Sequence, residues 1–326
     1  MDERRCFCLV EMNLKAVISL VRPINLAIMA GMLLLVRYAI FEPVFAMNHL
    51  SGLMPFWQFL LLILATVLIG AGGYVINDVL DIEIDRINKP DRQIIGKKIS
   101  VETGNKLHFN LTASGIVLGI AFSYLSGNIF LAILFVIIPT SLFYYSFKYK
   151  YLPIAGNLVV ALLAALTVII YWLFEFYHLK KTPEVFIEAA SSFAILNRFI
   201  LAFASFAFLT TLTREIIKDA EDMTGDSRFG CNTLAIVLGQ KKVKYLIIAL
   251  EVVLILLLAW FQLNLHRSGL VLMSWSLLIT QVLIVVTLFR TIKTGSNSAF
   301  RQLSLFFKII MVTGMLSLLT VYFRNI

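Results

Sequence analysis

Apolar runs, each close to 20 residues long and separated by short polar segments, divide the 326-residue chain. A helix of about 20 apolar residues, rising 1.5 Å per residue, crosses the roughly 30 Å hydrocarbon core of a bilayer. Each run therefore predicts a membrane-spanning helix. The runs fall at 14–36, 56–79, 104–125, 128–147, 154–177, 196–217, 243–263, 269–290 and 303–323. The pattern predicts an all-α, polytopic membrane protein with about nine transmembrane helices in one bundle. Residues 1–13 read as a polar tail, and 14–326 as a single domain, because no polar stretch is long enough to act as a linker. The first run does not read as a cleavable signal. It is too long, it contains Arg22-Pro23, and no small-residue cleavage site follows.

The breaks between runs carry local signals. Pro90 predicts the end of a cytoplasmic extension of the second helix, and Ser100 followed by Glu102 predicts the N-terminal cap of the third. Gly70, Gly72 and Gly73 predict close helix packing, with room for a substrate as the alternative use.

Charge sets the orientation. Only 14% of residues are charged and 60% are hydrophobic, yet the net charge is +9. With the N-terminus placed in the cytoplasm, 22 of the 28 Lys and Arg residues fall on that side. By the positive-inside rule the N-terminus is cytoplasmic, the C-terminus external. Arg198 then reads as a residue of the outer interface. This asymmetry accounts for the basic charge without a nucleic-acid partner and predicts attraction to anionic lipids and substrates. Cys6, Cys8 and Cys231 all lie on the reducing side, so no disulfide framework is expected.

Against this acid-poor background, 11 of the 19 acidic residues crowd into two places, Asp78 to Glu102 and Glu215 to Asp226. Asn77, Asp81 and Asp85 stand four residues apart, and Asp219, Asp222 and Asp226 follow i, i+3, i+7 spacing. Each set makes one stripe on a helix. Like charges stacked so closely repel, and oxygen donors of this kind suit Mg²⁺, which binds through a few carboxylates plus substrate phosphates. Arg86, Lys89 and Arg92 follow the first stripe. Arg214 and Lys218 precede the second by a turn or two, and Lys150 adds a cation on a third cytoplasmic loop. Paired acids and cations at one membrane face point to diphosphate chemistry, in which charge developing on a leaving group must be neutralised.

Asn77-Asp78-x-x-Asp81-x-x-x-Asp85, continued by Ile87-Asn88-Lys89-Pro90-x-Arg92, resembles the first Asp-rich motif of UbiA-type intramembrane prenyltransferases. Asp219-x-x-Asp222-x-x-x-Asp226 resembles the second. Arg22-Pro23-Ile-Asn25, Tyr145-Ser146…Lys150 and Gly156-Asn157 also match the family pattern, and the resemblance runs from about residue 14 to the C-terminus. The chain departs from the pattern at 92–100, where family members carry prolines that are missing here.

The resemblance implies a UbiA-like bundle of nine helices around a cavity open sideways to lipid. It implies that Asn77, Asp81, Asp85, Asp222 and Asp226, joined by Asp219, hold Mg²⁺ against a prenyl diphosphate donor. Arg86, Lys89, Arg92, Lys150 and Lys218 would steady the departing diphosphate, with Arg22, Asn25, Asn157 and Arg214 also at the substrate. A lipophilic acceptor would then capture the allylic cation. Within the family, residues 214–226 are most similar to the branch that adds a second geranylgeranyl chain to geranylgeranylglyceryl phosphate. An aromatic acceptor, as in quinone, haem or chlorophyll synthesis, is the alternative. A secondary transporter is the rival from another class, but it would place acids and broken helices near the bilayer midplane rather than at one face.

Overall fold

The computed structural model describes residues 14–88, 91, 93–293 and 297–322. Among these residues, nine helices are long and apolar enough to cross a membrane. The only extended pairing among them is an isolated bridge between Ile95 and Ile99.

A short helix α1 (Leu14–Leu20) precedes α2 (Pro23–Leu35). The rest of the bundle is α3 (Phe56–Leu80), α4 (Ile82–Asn88), α5 (Val101–Leu125), α6 (Leu134–Phe147), α7 (Ala155–Leu179), α8 (Phe193–Arg228), α9 (Leu234–Arg267), α10 (Val271–Lys293) and α11 (Asn297–Leu316). Helices α2, α3, α6, α7, α8 and α11 enclose a central cavity. Outside that ring, α5 packs along α3, α9 packs against α8, and α10 packs against α9 and α11.

The first span is a correction to the sequence expectation of 14–36. It runs from Pro23 to Met47. Arg22 adopts a left-handed backbone (φ 54°) and Pro23 opens the helix, so α1 is a separate element. At the other end the helix continues through a π-helical stretch, Val36–Phe41, into Glu42–Met47. Arg37 and Glu42 lie beyond the expected end at residue 36. In the fold they meet: Arg37 Nε donates to Glu42 Oε1 at 3.3 Å, and the guanidinium lies 5.1 Å from the centre of the Phe59 ring. A charge deep in a bundle is tolerated when partnered in this way.

Two devices bring the acidic segments to one face. Helix α8 is 36 residues long, about 54 Å at 1.5 Å per residue, so it outreaches the hydrocarbon core and projects its last turns beyond it. Those turns carry Asp219 to Asp226. Helix α3 ends at Leu80, and the chain turns at Asp81 into α4 while keeping the helical hydrogen bonds Asp81 N to Asn77 O and Asp85 N to Asp81 O (3.0 and 2.7 Å). The first stripe therefore survives the break.

The loop at 93–100 is compact. Gly96, with φ 81°, makes a tight turn that tucks Ile95 and Ile99 against Ala16, Leu20, Val75, Ile76 and Val79. Each buried isoleucine contributes about 1.5–3 kcal/mol where the alternative is water. Lys97 and Lys98 stay exposed at the tip. Ser100 caps α5, its Oγ accepting from Thr103 N at 3.1 Å. Of the three glycines in α3, Gly72 faces α5, where a Cβ would lie 2.3 Å from Thr112 Oγ1. Gly70 and Gly73 line the cavity instead.

Candidate active site

The central cavity has a volume of about 320 Å³ and two chemically different ends. One is apolar, walled by side chains such as Met29, Met32, Phe135, Leu163, Phe203 and Met311. The other presents Arg22, Asn25, Asn77, Arg214, Lys218 and Lys308, with the rings of Tyr74 and Tyr145 among them. Such a space suits an amphiphile with an anionic head and a hydrocarbon tail.

The first acidic segment is held from three directions. Arg22 reaches Asp78 (Nη2 to Oδ1, 2.5 Å) while its guanidinium lies 4.9 Å from the centre of the Tyr74 ring. Burial opposes the Arg22 charge, but Asp78, Tyr74 and Asp85 outweigh it and raise the pKa above its usual value. Asn77 donates to Asp81 Oδ2 at 3.0 Å and accepts from Ser146 Oγ at 3.4 Å. Lys150 pairs with the other oxygen of Asp81. The position of Lys150 depends on Gly156, where a Cβ would come within 2.8 Å of Lys150 Cα and 3.0 Å of Tyr149 O. This close approach explains why glycine stands in the Gly156-Asn157 pair. Asn157 in turn donates to Asp219 Oδ2 at 2.9 Å.

On α8, Glu215 is the hub. It is buried and accepts from Arg214 Nη1 at 2.9 Å and from Lys218 Nζ at 2.8 Å. The two cations thus stand side by side on the cavity wall, oriented by one carboxylate.

The two acidic segments, more than 130 residues apart in sequence, are joined by Asn88. Its Oδ1 accepts from Gly225 N at 3.0 Å and its Nδ2 donates to Asp226 Oδ1 at 3.3 Å. Behind them Tyr151 O accepts from Asn232 N at 2.9 Å, tying the Lys150 loop to the segment after α8. The electrostatics agree: burial pushes the Cys231 thiol up to about 11, reinforced by both Asp226 and Asp81 and opposed by Lys150. Residues from both stripes and Lys150 therefore act on one point.

Gly225 makes this junction possible, because a Cβ there would sit 2.1 Å from Asn88 Oδ1. Gly225→Ala is expected to lower stability by about 1–3 kcal/mol through overpacking, read as a fall in Tm of the detergent-solubilised protein. Adding Asn88→Ala should cause no further loss, since the clashing atom and both hydrogen bonds vanish together. A second, additive drop would contradict the junction.

Of the residues singled out in the sequence, Arg22, Asn25, Asn77, Arg214 and Lys218 line the cavity. Asp81, Lys150, Asn157, Asp219 and Asp226 join them through the contacts above, and Asp85 lies within electrostatic reach of Arg22. Asp222 is half-buried on the same α8 stripe. Arg86 is exposed and pairs with Glu83 at 3.1 Å, away from the cavity lining. Lys89 and Arg92 lie outside the described residues, as do Pro90 and the 1–13 tail. Sequence reasoning passed over Tyr74, Glu215 and Lys308. Glu215 could have been found from its spacing between Arg214 and Lys218, whereas nothing local marks Lys308.

Among the described residues, no three acids, histidines or cysteines converge into a metal cage. Mg²⁺ usually binds through one or two carboxylates, several waters and substrate phosphates rather than through an all-protein cage. Hard carboxylate oxygens beside a cation-lined pocket fit that mode.

Nine candidate spans among the described residues, a cavity with one cationic and one apolar end, and two joined acidic segments together define an intramembrane enzyme fold. The UbiA prenyltransferase family model matches residues 26–310, and the chain belongs to that family. It is 36% identical over 184 residues to the digeranylgeranylglyceryl phosphate synthase of Sulfolobus acidocaldarius, a match covering 56% of this chain and 58% of that protein. To the enzyme of the same name from Methanoculleus marisnigri it is 36% identical over 71% of both chains. The chain thus spans well under two thirds of the first of these relatives. A solved structure concerning digeranylgeranylglyceryl phosphate synthase in membranes superposes with a TM-score of 0.60 at 28% identity, covering 95% of this chain and 98% of that one. The fold is also that of a UbiA homolog from Archaeoglobus fulgidus bound to DMAPP and Mg²⁺, with a TM-score of 0.55, 16% identity, and coverage of 93% and 98%.

Proposed function

We propose that the chain transfers a geranylgeranyl group from its diphosphate to the free hydroxyl of geranylgeranylglyceryl phosphate, with Mg²⁺. The observation that carries this reading is the cavity itself: Arg22 from the break before α2 and cations from α8 and α11 at one end of an otherwise apolar chamber. The relatives named for this synthesis, and the Mg²⁺ and DMAPP in the Archaeoglobus homolog, support it.

Arg22, Arg214, Lys218 and Lys308 would orient the phosphate groups, and the apolar walls would hold the prenyl tail. Asp81, Asp85, Asp222 and Asp226, with Asn77 and Asp219, would hold Mg²⁺, which supplies neutralisation of the charge left on the departing diphosphate. Lys150, positioned by Asp81, would stand beside the same leaving group. Walls that exclude water protect the allylic cation from hydrolysis, and the rings of Tyr74 and Tyr145 offer it π-faces. Two phosphate-bearing substrates at one site explain four cations on one cavity.

Purified protein with labelled geranylgeranyl diphosphate and a panel of acceptors tests this directly. Product is expected with the prenylglyceryl phosphate, and faster than with shorter donors. Prenylation of 4-hydroxybenzoate or dihydroxynaphthoate, with none of the glyceryl phosphate, would move the chain to the aromatic branch.

The site would lie on the cytoplasmic side, a reading the asymmetry of Lys and Arg supports. In a background of Cys6→Ser, Cys8→Ser and Cys231→Ser, Lys97→Cys should react with an impermeant maleimide only from the cytoplasmic face. Lys180→Cys should react only from the other. The reverse pattern would invert the orientation.

A further inference from the structure

A second cavity, larger than the first at about 590 Å³, opens between α8, α9, α10 and α11. It lies toward the membrane face opposite the acidic segments. Its lining is hydrocarbon and aromatic: Phe199 and Phe203 meet Phe261 edge-on, at centroid distances of 6.4 and 6.1 Å, with Leu258 and Leu277 completing the floor. Its polar groups are Arg198, Ser205, Asn264 and Ser268. Arg198 is exposed, and among the described residues no carboxylate pairs with it. Arg198 and Lys218 are 20 residues apart on one continuous helix, about 30 Å. An anion held at Lys218 therefore cannot also use Arg198.

The groove also backs onto the reaction chamber. Phe203 and Phe206 line both cavities. Gly314 lets the Phe206 ring pack closely against α11, since a Cβ there would sit 2.5 Å from Phe206 Cε1.

We infer that this groove seats one anionic membrane lipid, its headgroup on Arg198 and one chain along the Phe203–Phe206 wall. An unpaired guanidinium near the end of α8 opposite the acidic segments selects negative charge, and an apolar groove beside it selects a hydrocarbon chain. The wall shared with the reaction chamber makes this lipid a support for the chamber from behind. The inference is independent of which acceptor the chamber uses.

Native mass spectrometry of the detergent-solubilised protein with phosphatidylglycerol or phosphatidylcholine of matched chains tests it. The wild-type chain should retain one phosphatidylglycerol about fivefold better than phosphatidylcholine, the preference expected of one basic residue near a headgroup. Arg198→Gln should erase the preference, and Ser205→Trp, which fills the groove, should reduce retention of both lipids. Arg267→Gln, an exposed cation outside the groove lining, should change neither. Phosphatidylglycerol should raise the Tm of the wild-type chain and not of Arg198→Gln, a readout that does not require turnover. Persistent preference in Arg198→Gln, equal loss in Arg267→Gln, or full retention in Ser205→Trp would overturn the inference. So would displacement by geranylgeranyl phosphate, which would make the groove a substrate-chain seat. A wild-type dimer lost in Ser205→Trp would assign it to a second copy and overturn it as well.

Discussion

Asp81→Asn and Asp222→Asn are each expected to reduce prenyl-transfer turnover by about 10²–10³-fold, the range seen when one electrostatic contact to a developing charge is removed. The geometry makes Asp81 sensitive: one oxygen takes Asn77, the other Lys150, so the substitution frees the Lys150 ammonium as well as removing a charge. Helix α4 and the end of α8 are bolted together through Asn88, which sets both acidic stripes around one mouth. If both aspartates serve a single metal–diphosphate unit, the double variant should be little slower than either single one. Losses that multiply would mean two separate sites. Because Asp81→Asn leaves the bundle core untouched, the variant should elute and melt like the parent in detergent.

Chelation is expected to abolish turnover, and Mg²⁺ to restore it. The reason lies in how the cations are already committed. Arg22 is paired with Asp78, Lys150 with Asp81, and Arg214 and Lys218 share Glu215. Each of these four cations already shares its charge with a carboxylate, so with Lys308 they orient the phosphates without neutralising a departing diphosphate. A divalent ion supplies the remainder, an effect of several kcal/mol, or about 10³-fold or more in rate. Turnover assayed in excess chelator, then after stepwise addition of Mg²⁺, checks this. Unchanged activity in chelator would remove the metal from the mechanism.

Much of the architecture was legible residue by residue. Hydrocarbon leaves a backbone no partner but itself, so a run such as 56–79 has to be a helix, and its ends are readable from apolar length alone. The acidic stripes were legible for a related reason. Asp81 four residues after Asn77 must share its face, and the observed Asn77–Asp81 hydrogen bond is that local geometry. The cap at Ser100 follows the same rule.

Where local reading missed, a distant partner was responsible. The apolar run predicts a span ending at residue 36, yet the mutual pairing of Arg37 and Glu42 and the Phe59 ring from α3 keep the helix going to Met47. Arg22 was placed inside the first span, but the Arg22-Pro23 break puts it at the mouth, in reach of Asp78 and Tyr74. Nothing local marks Lys308, which reaches the cavity only because α11 closes the ring.

By itself, then, the order of residues determined the helical nature of the chain, the nine candidate spans found among the described residues, and the two acidic stripes. Each of these depends on neighbours within a turn or two and on the solvent around them. Only the tertiary structure decided that Gly72 serves packing while Gly70 and Gly73 face a chamber, that Asn88 and Gly225 join the two stripes, and that Phe206 separates two cavities. Those outcomes depend on which helix face meets which neighbour. That choice is made by van der Waals packing between segments far apart in the chain, where burial of apolar surface gives no direction because lipid is as apolar as the helix it surrounds.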